Sequence, residues 1–187
     1  SDVYKRQIMS LMGFFALCLI TSSGYIRNDI IDLERDKLHP EKKNRPIASN
    51  LITIKQANYI FLILFTVAIS LSFSLDLYFG ILMIVLFLNS EIYYRFIKRV
   101  IILDVSSIGL NFVIRSVCGI VLMHTAISPW IIVGVFFIAL FLAFLKRQSE
   151  KITLKELATL HRSVLTKYSE KMLNLSAVSY THLTLPT

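Results

Sequence analysis

The chain has 187 residues, of which 55% are hydrophobic, only 17% are charged and only 6 are glycine, with a formal net charge of +8. Its mean hydropathy is +0.65. A water-soluble domain of this length would interleave apolar and polar residues at periods of 2 or 3.6, whereas here apolar runs of about 20 residues recur, the length a helix needs to cross a bilayer core. The composition therefore excludes a soluble globular protein and points to a polytopic, all-α membrane helix bundle.

Taken in chain order, the first seven residues, SDVYKRQ, and the last eleven, AVSYTHLTLPT, read as translated adapter sequence. They are set aside as processing segments should be, leaving residues 8–176 as a partial transmembrane domain. Membrane helices are expected over residues 8–25, 57–75, 77–94, 100–122 and 129–145, and a sixth begins near Tyr168. Polar loops at 27–55, 95–99 and 146–167 alternate with short turns at 74–77 and 124–128. Two helices separate each polar loop from the next, so all three emerge on one face. Leaving out Lys5 and Arg6, 17 of the remaining 18 lysines and arginines lie in those loops or at their helix ends. The positive-inside rule makes that face cytoplasmic. Trp130, Tyr78, Tyr93 and Tyr94 lie near helix ends and read as interfacial aromatics. Cys18 and Cys118 read as small apolar packing residues. His39, His124, His161 and His182 show no metal-ligand spacing.

The segment after the first helix, RNDIIDLERDKLHPEKKNRPIAS, carries the strongest chemical signal. Asp29, Asp32 and Asp36 stand at i, i+3 and i+7 and share one helix face with Asn28 beside them. Hard oxygen ligands in that number suit Mg²⁺, which keeps waters and bridges to substrate phosphates. His39 and Pro40 stop the helix. Lys42 and Arg45 follow, with Pro46 stiffening a return that folds cations over whatever the metal holds. A second polar stripe runs along the fourth helix through Asp104, Ser107, Asn111 and Arg115. Arg115 lies deep enough in its span that it must face a partner, a cavity or a ligand. An Asp104 to Arg115 network and a ligand site are both open. Glu91, Tyr94, Lys98 and Arg99 close the third helix; Lys146, Arg147 and Glu150 close the fifth, where Arg147 and Glu150 also suit an i, i+3 pair. The stretch from 146 to 167 suits either an amphipathic surface helix or a solvated connector.

These residues carry a family resemblance. Asn28-Asp-x-x-Asp-x-x-x-Asp36 followed by His39-Pro-x-Lys-x-x-Arg45-Pro-Ile-Ala-Ser resembles the first aspartate-rich motif of the UbiA superfamily of intramembrane prenyltransferases. Asp104-Val, Gly109, Arg115 and Gly119, Ser128-Pro-Trp, Leu145-Lys-Arg-x-x-Glu150 and His161-Arg-x-Val-Leu-x-x-Tyr-Ser169 are similar in order and spacing to its branch of decaprenyl-phosphate phosphoribosyltransferases. Asn50 stands where the family commonly has glycine, and asparagine tolerates the same left-handed backbone.

The resemblance implies a bundle of about nine membrane helices, of which five to six are present here. It implies transfer of 5-phosphoribosyl from phosphoribosyl diphosphate to a polyprenyl phosphate at the cytoplasmic face of a bacterial plasma membrane, feeding cell-envelope biosynthesis. Asn28, Asp29, Asp32 and Asp36 would hold Mg²⁺, and Lys42 and Arg45 would join the aspartates in catalysis. Glu91, Asp104, Asn111, Arg115, Lys146, Arg147 and Glu150 would bind substrates. The partners implied are those two substrates and the lipid bilayer, with no nucleic acid; homo-oligomerisation is left open. The alternative is a prenyl transfer from a polyprenyl diphosphate to an aromatic acceptor. Members that do this usually carry a second DxxxD, where this chain reads KRQSEKITLKE.

Overall fold

A computed structural model describes residues 2–154, and every described regular element is a helix. The order is α1 (Asp2–Ile31), α2 (Leu33–Leu38), α3 (Ile54–Leu75), α4 (Leu77–Arg95), α5 (Ile101–Leu122) and α6 (Pro129–Leu154). Single 3-10 turns occupy Lys42–Asn44 and Ile97–Arg99. The five long helices are those expected, but α1, α3 and α6 each run further than expected. Helix α1 starts at Asp2 and runs to Ile31, because the polar residues on both sides of its apolar core are themselves compatible with helix and include no proline. Helix α6 continues through Lys146 and Arg147 to Leu154, so the first part of the expected connector is helical. The remainder of that connector and the sixth span near Tyr168 lie outside the described residues.

Helix starts follow local chemistry. Thr53 and Gln56 form a reciprocal capping box at the start of α3, which satisfies two otherwise orphan N–H groups. The Asp76 carboxylate accepts the Phe79 N–H at 2.9 Å and so caps α4 across a turn with almost no loop.

Helix α1 packs on α3, α4 and α5, and α6 packs on α5. The core joins Ala16 and Ile20 of α1 with Ala68 of α3, Phe79, Met83 and Leu86 of α4, and Ile114, Cys118 and Leu122 of α5. Small residues let these helices approach closely, as membrane helices do where solvent supplies no drive for association. Gly109 is one such position: a Cβ there would come within 2.9 Å of the Phe136 ring on α6. Both cysteines are free. Only 11% of the most apolar window of α3 and of α6 is buried. Phe14, Phe15, Leu62, Ile63, Leu88 and Ile131 are likewise exposed, an arrangement that hydrocarbon accommodates and water would not. The chain is an integral membrane protein.

Candidate functional site

The aspartate segment bends without losing its register. Asp32 sits at a turn with φ −93° and ψ 4° between α1 and α2, yet its N–H still bonds the Asn28 carbonyl at 2.9 Å and its own carbonyl accepts the Asp36 N–H at 2.8 Å. Continuous helical hydrogen bonding keeps Asp29, Asp32 and Asp36 facing one cavity. His39 ends α2 and folds the chain back, its Nδ1 accepting the backbone N–H groups of Glu41 and Lys42 at 3.2 and 3.3 Å. Asn50 completes the return with φ 60°, the left-handed conformation anticipated for it.

The returning segment delivers Arg45. Its Nη1 lies 2.7 Å from Asp29 Oδ1 and 2.8 Å from Asp36 Oδ2, so one guanidinium bridges the first and last aspartates. Lys98, from the turn before α5, pairs with the middle one, Asp32. The mutual repulsion of three carboxylates is relieved by these two cations. Among the described residues no group of three or more acidic, histidine or cysteine side chains is arranged to enclose a metal ion by itself. The donor set of Asn28, Asp29, Asp32 and Asp36 nonetheless fits Mg²⁺, a hard ion that completes its shell with waters and phosphate oxygens. Those phosphates would also give Arg45 and Lys98 a new anion to hold.

The cavity has a volume of about 430 Å³ and is walled by α1, α4, α5 and α6. Its polar mouth carries Asn28, the three aspartates, Lys42, Arg45, Lys98 and Lys146, with Arg147 buried in its wall; Asn111 and Arg115 project from α5, and Ile20, Leu86, Ile108 and Leu142 form apolar wall. Ten of the residues anticipated for the site therefore line a single space: Asn28, Asp29, Asp32, Asp36, Lys42, Arg45, Asn111, Arg115, Lys146 and Arg147.

Two anticipated residues have other partners. Asp104 is fully buried and pairs with Arg147 Nε at 2.6 Å, with side-chain exposures of 0% and 2%. The Tyr93 hydroxyl donates to Asp104 at 3.0 Å and accepts from Arg147 Nη2 at 3.3 Å. This cluster ties α4, α5 and α6 together. The counter-charge of Asp104 comes from α6, 43 residues away, and not from Arg115, which lies too far along the same helix. Glu91 is absent from the cavity lining. It accepts from Arg27 at 3.3 Å and from Arg95 at 3.1 Å, holding the end of α4 against α1. The Glu150 side chain lies outside the described ones.

Tyr93 and Tyr94, read from sequence as interfacial aromatics, line the cavity instead. The hydroxyl of Tyr94 abuts α1, where a Cβ on Gly24 would stand 3.5 Å from it. Their position next to Lys98 was the available signal; helix-end tyrosines are so common at membrane surfaces that it was outweighed. Trp130, at the start of α6, is 84% exposed.

The four-walled cavity lies in a membrane bundle and is acidic and cationic at one end and apolar along its sides. The profile of the UbiA prenyltransferase family matches residues 6–185, and the chain belongs to that family. It is 37% identical over 146 residues to the uncharacterized protein y4nM of Sinorhizobium fredii, covering 76% of this chain and 28% of that one. It is 31% identical over 140 residues to the decaprenyl-phosphate phosphoribosyltransferase of Mycolicibacterium smegmatis, covering 74% of this chain and 44% of the relative. Among solved structures, a UbiA homolog from Archaeoglobus fulgidus bound to GPP and Mg²⁺ superposes with a TM-score of 0.77 at 15% identity, over 94% of this chain and 64% of that one. The chain spans less than half the length of these curated relatives.

Proposed function

We propose that the protein to which this chain belongs transfers 5-phosphoribosyl from phosphoribosyl diphosphate to a polyprenyl phosphate, at the cytoplasmic face of a bacterial plasma membrane. One observation carries the reading: a single cavity holds four hard oxygen donors and several cations at its mouth and continues between apolar helix walls. The likeness to decaprenyl-phosphate phosphoribosyltransferases supports the choice of substrates. The gathering of lysine and arginine on the loops at that end supports the cytoplasmic orientation.

Asn28, Asp29, Asp32 and Asp36 would hold Mg²⁺, which supplies charge neutralisation to a departing diphosphate. Arg45, now bridging Asp29 and Asp36, stands where the phosphates of a bound donor would arrive. Lys42 and Lys98 flank it and extend the positive cradle. A phosphate monoester is already an oxyanion near neutral pH, so its attack on the anomeric carbon needs alignment and charge screening but no general base. Lys146 lines the same mouth, suited to the 5-phosphate of the ribose. Asp104 and Tyr93 fix Arg147 and hold α6 in place, so they act on the site by positioning. Apolar walls let the polyprenyl tail stay among lipid while its head reaches the cavity.

The test is transfer of ribose label from phosphoribosyl diphosphate into the lipid phase, with Mg²⁺ and polyprenyl phosphate, using protein purified in detergent. Metal-dependent transfer that disappears in Asp32→Ala is expected. A second reading, transfer of a prenyl group from its diphosphate, draws support from the GPP and Mg²⁺ of the superposed homolog. Activity with a polyprenyl diphosphate and an aromatic acid, and none with phosphoribosyl diphosphate, would establish it and refute the first.

A further inference from the structure

The cations of this bundle are not equivalent. Arg27, Arg45, Lys98 and Arg147 are each held by a carboxylate. Arg115 has no carboxylate partner among the described residues. Its Nη2 lies 3.5 Å from Thr21 Oγ1, a long bond, and its guanidinium carbon stands 5.5 Å from the centre of the Phe112 ring. A guanidinium has five N–H donors in a planar fork, so most of its capacity is directed at the cavity that it lines.

Depth makes this informative. The apolar span of α5 is Leu103–Leu122, and Arg115 lies roughly 18 Å along it from Leu103 at 1.5 Å per residue. A charge at that depth persists where it faces a partner, water or a ligand. The cavity that it lines also carries Ile20, Leu86, Ile108 and Leu142 as apolar wall, with Asn111 one turn from Arg115 toward the mouth. On α1, Thr21 is roughly 16 Å from Asp32, so Arg115 and the aspartates mark opposite ends of one space.

We propose that Arg115, with Thr21 and Asn111 beside it, is the subsite for the phosphate monoester head of an isoprenoid lipid. The shared chemistry is a phosphate dianion, which a guanidinium grips through paired hydrogen bonds. The apolar side chains of this cavity, Ile20 next to Thr21 among them, favour a phosphate attached to a hydrocarbon chain over one attached to a sugar. A donor held at the aspartates then extends inward from the mouth while the lipid head meets it from below. The lipid's role as acceptor rests on the reaction proposed above; its binding at Arg115 does not.

The test is equilibrium binding of labelled farnesyl phosphate to the detergent-purified protein, corrected for empty micelles, with farnesol and ribose 5-phosphate as parallel probes. Arg115→Gln is expected to weaken farnesyl phosphate roughly 10- to 100-fold, the size of a lost charge-assisted hydrogen bond. Arg115→Lys is expected to lose less, and Thr21→Val, which keeps shape, to lose a few-fold. Farnesol binding is expected to be the same in all variants, and Asp32→Ala to retain farnesyl phosphate. Unchanged farnesyl phosphate binding in Arg115→Gln overturns the proposal, as does equal weakening of farnesol. A response confined to ribose 5-phosphate overturns the lipid assignment and makes Arg115 a donor contact. If wild-type protein catalyses no phosphoribosyl transfer but still binds farnesyl phosphate through Arg115, the reaction is refuted and the subsite stands.

Discussion

Two aspartate–arginine arrangements, one at the cavity mouth and one inside the bundle, use the same chemistry to opposite ends. At the mouth, Arg45 is about one-third exposed, at 36%, and its partner Asp29 is 25% exposed. Inside, Asp104 and Arg147 are 0% and 2% exposed and share Tyr93 as a third member. Water and ions reach the first pair, so its Coulomb energy is screened and its partners can be exchanged for a ligand. No water competes at the second, and separating it would strand a charge in a low-dielectric interior. Burial therefore decides which aspartate–arginine pair is available for chemistry and which holds helices in position.

The largest expected effect falls on the buried pair. Asp104→Ala or Arg147→Ala should each cost about 3–5 kcal/mol, because one charge remains buried without its partner. The double replacement Asp104→Leu with Arg147→Met should recover much of that loss. Thermal unfolding in detergent measures it, and single variants as stable as the parent would erase the contrast between the two regions.

At the mouth the expected pattern is reversed. Asp29→Asn should leave unfolding within about 1 kcal/mol of the parent, as part-exposed pairs contribute little. It should nevertheless lower metal-dependent transfer roughly 10²- to 10³-fold, the scale of a lost electrostatic contact to a transition state. A variant whose activity and melting temperature fell in parallel would show that the mouth, too, is structural.

The smallest effect is expected at Glu91, whose partners Arg27 and Arg95 are part-exposed and which lies off the cavity. Glu91→Gln should cost less than about 1 kcal/mol and leave transfer at parental levels. A large loss of activity there, with stability intact, would return Glu91 to the site and extend the cavity past the end of α4.

Much of this was legible in the residues themselves. Long apolar runs locate all five long helices, since a bilayer imposes a length that composition alone reveals. Aspartates at helical spacing place their carboxylates on one face whatever the rest of the chain does, and the structure keeps that register through the bend at Asp32. Proline after His39 and asparagine at position 50 mark where the chain turns, because both are local preferences of φ and ψ.

Pairing between helices was not legible. That Asp104 meets Arg147, that Tyr93 turns inward and that Glu91 turns away each depend on how α4, α5 and α6 are rotated about their axes. Rotation is set by the packing of small and large side chains, such as Gly109 against Phe136, which no single stretch of sequence records. The sequence determined a membrane bundle, its acidic motif and its family resemblance, because spans, motif spacings and turns are properties of contiguous residues. Only the tertiary structure decided which cations are committed to carboxylates and left Arg115 facing the cavity, because charge partners separated by tens of residues are chosen by geometry.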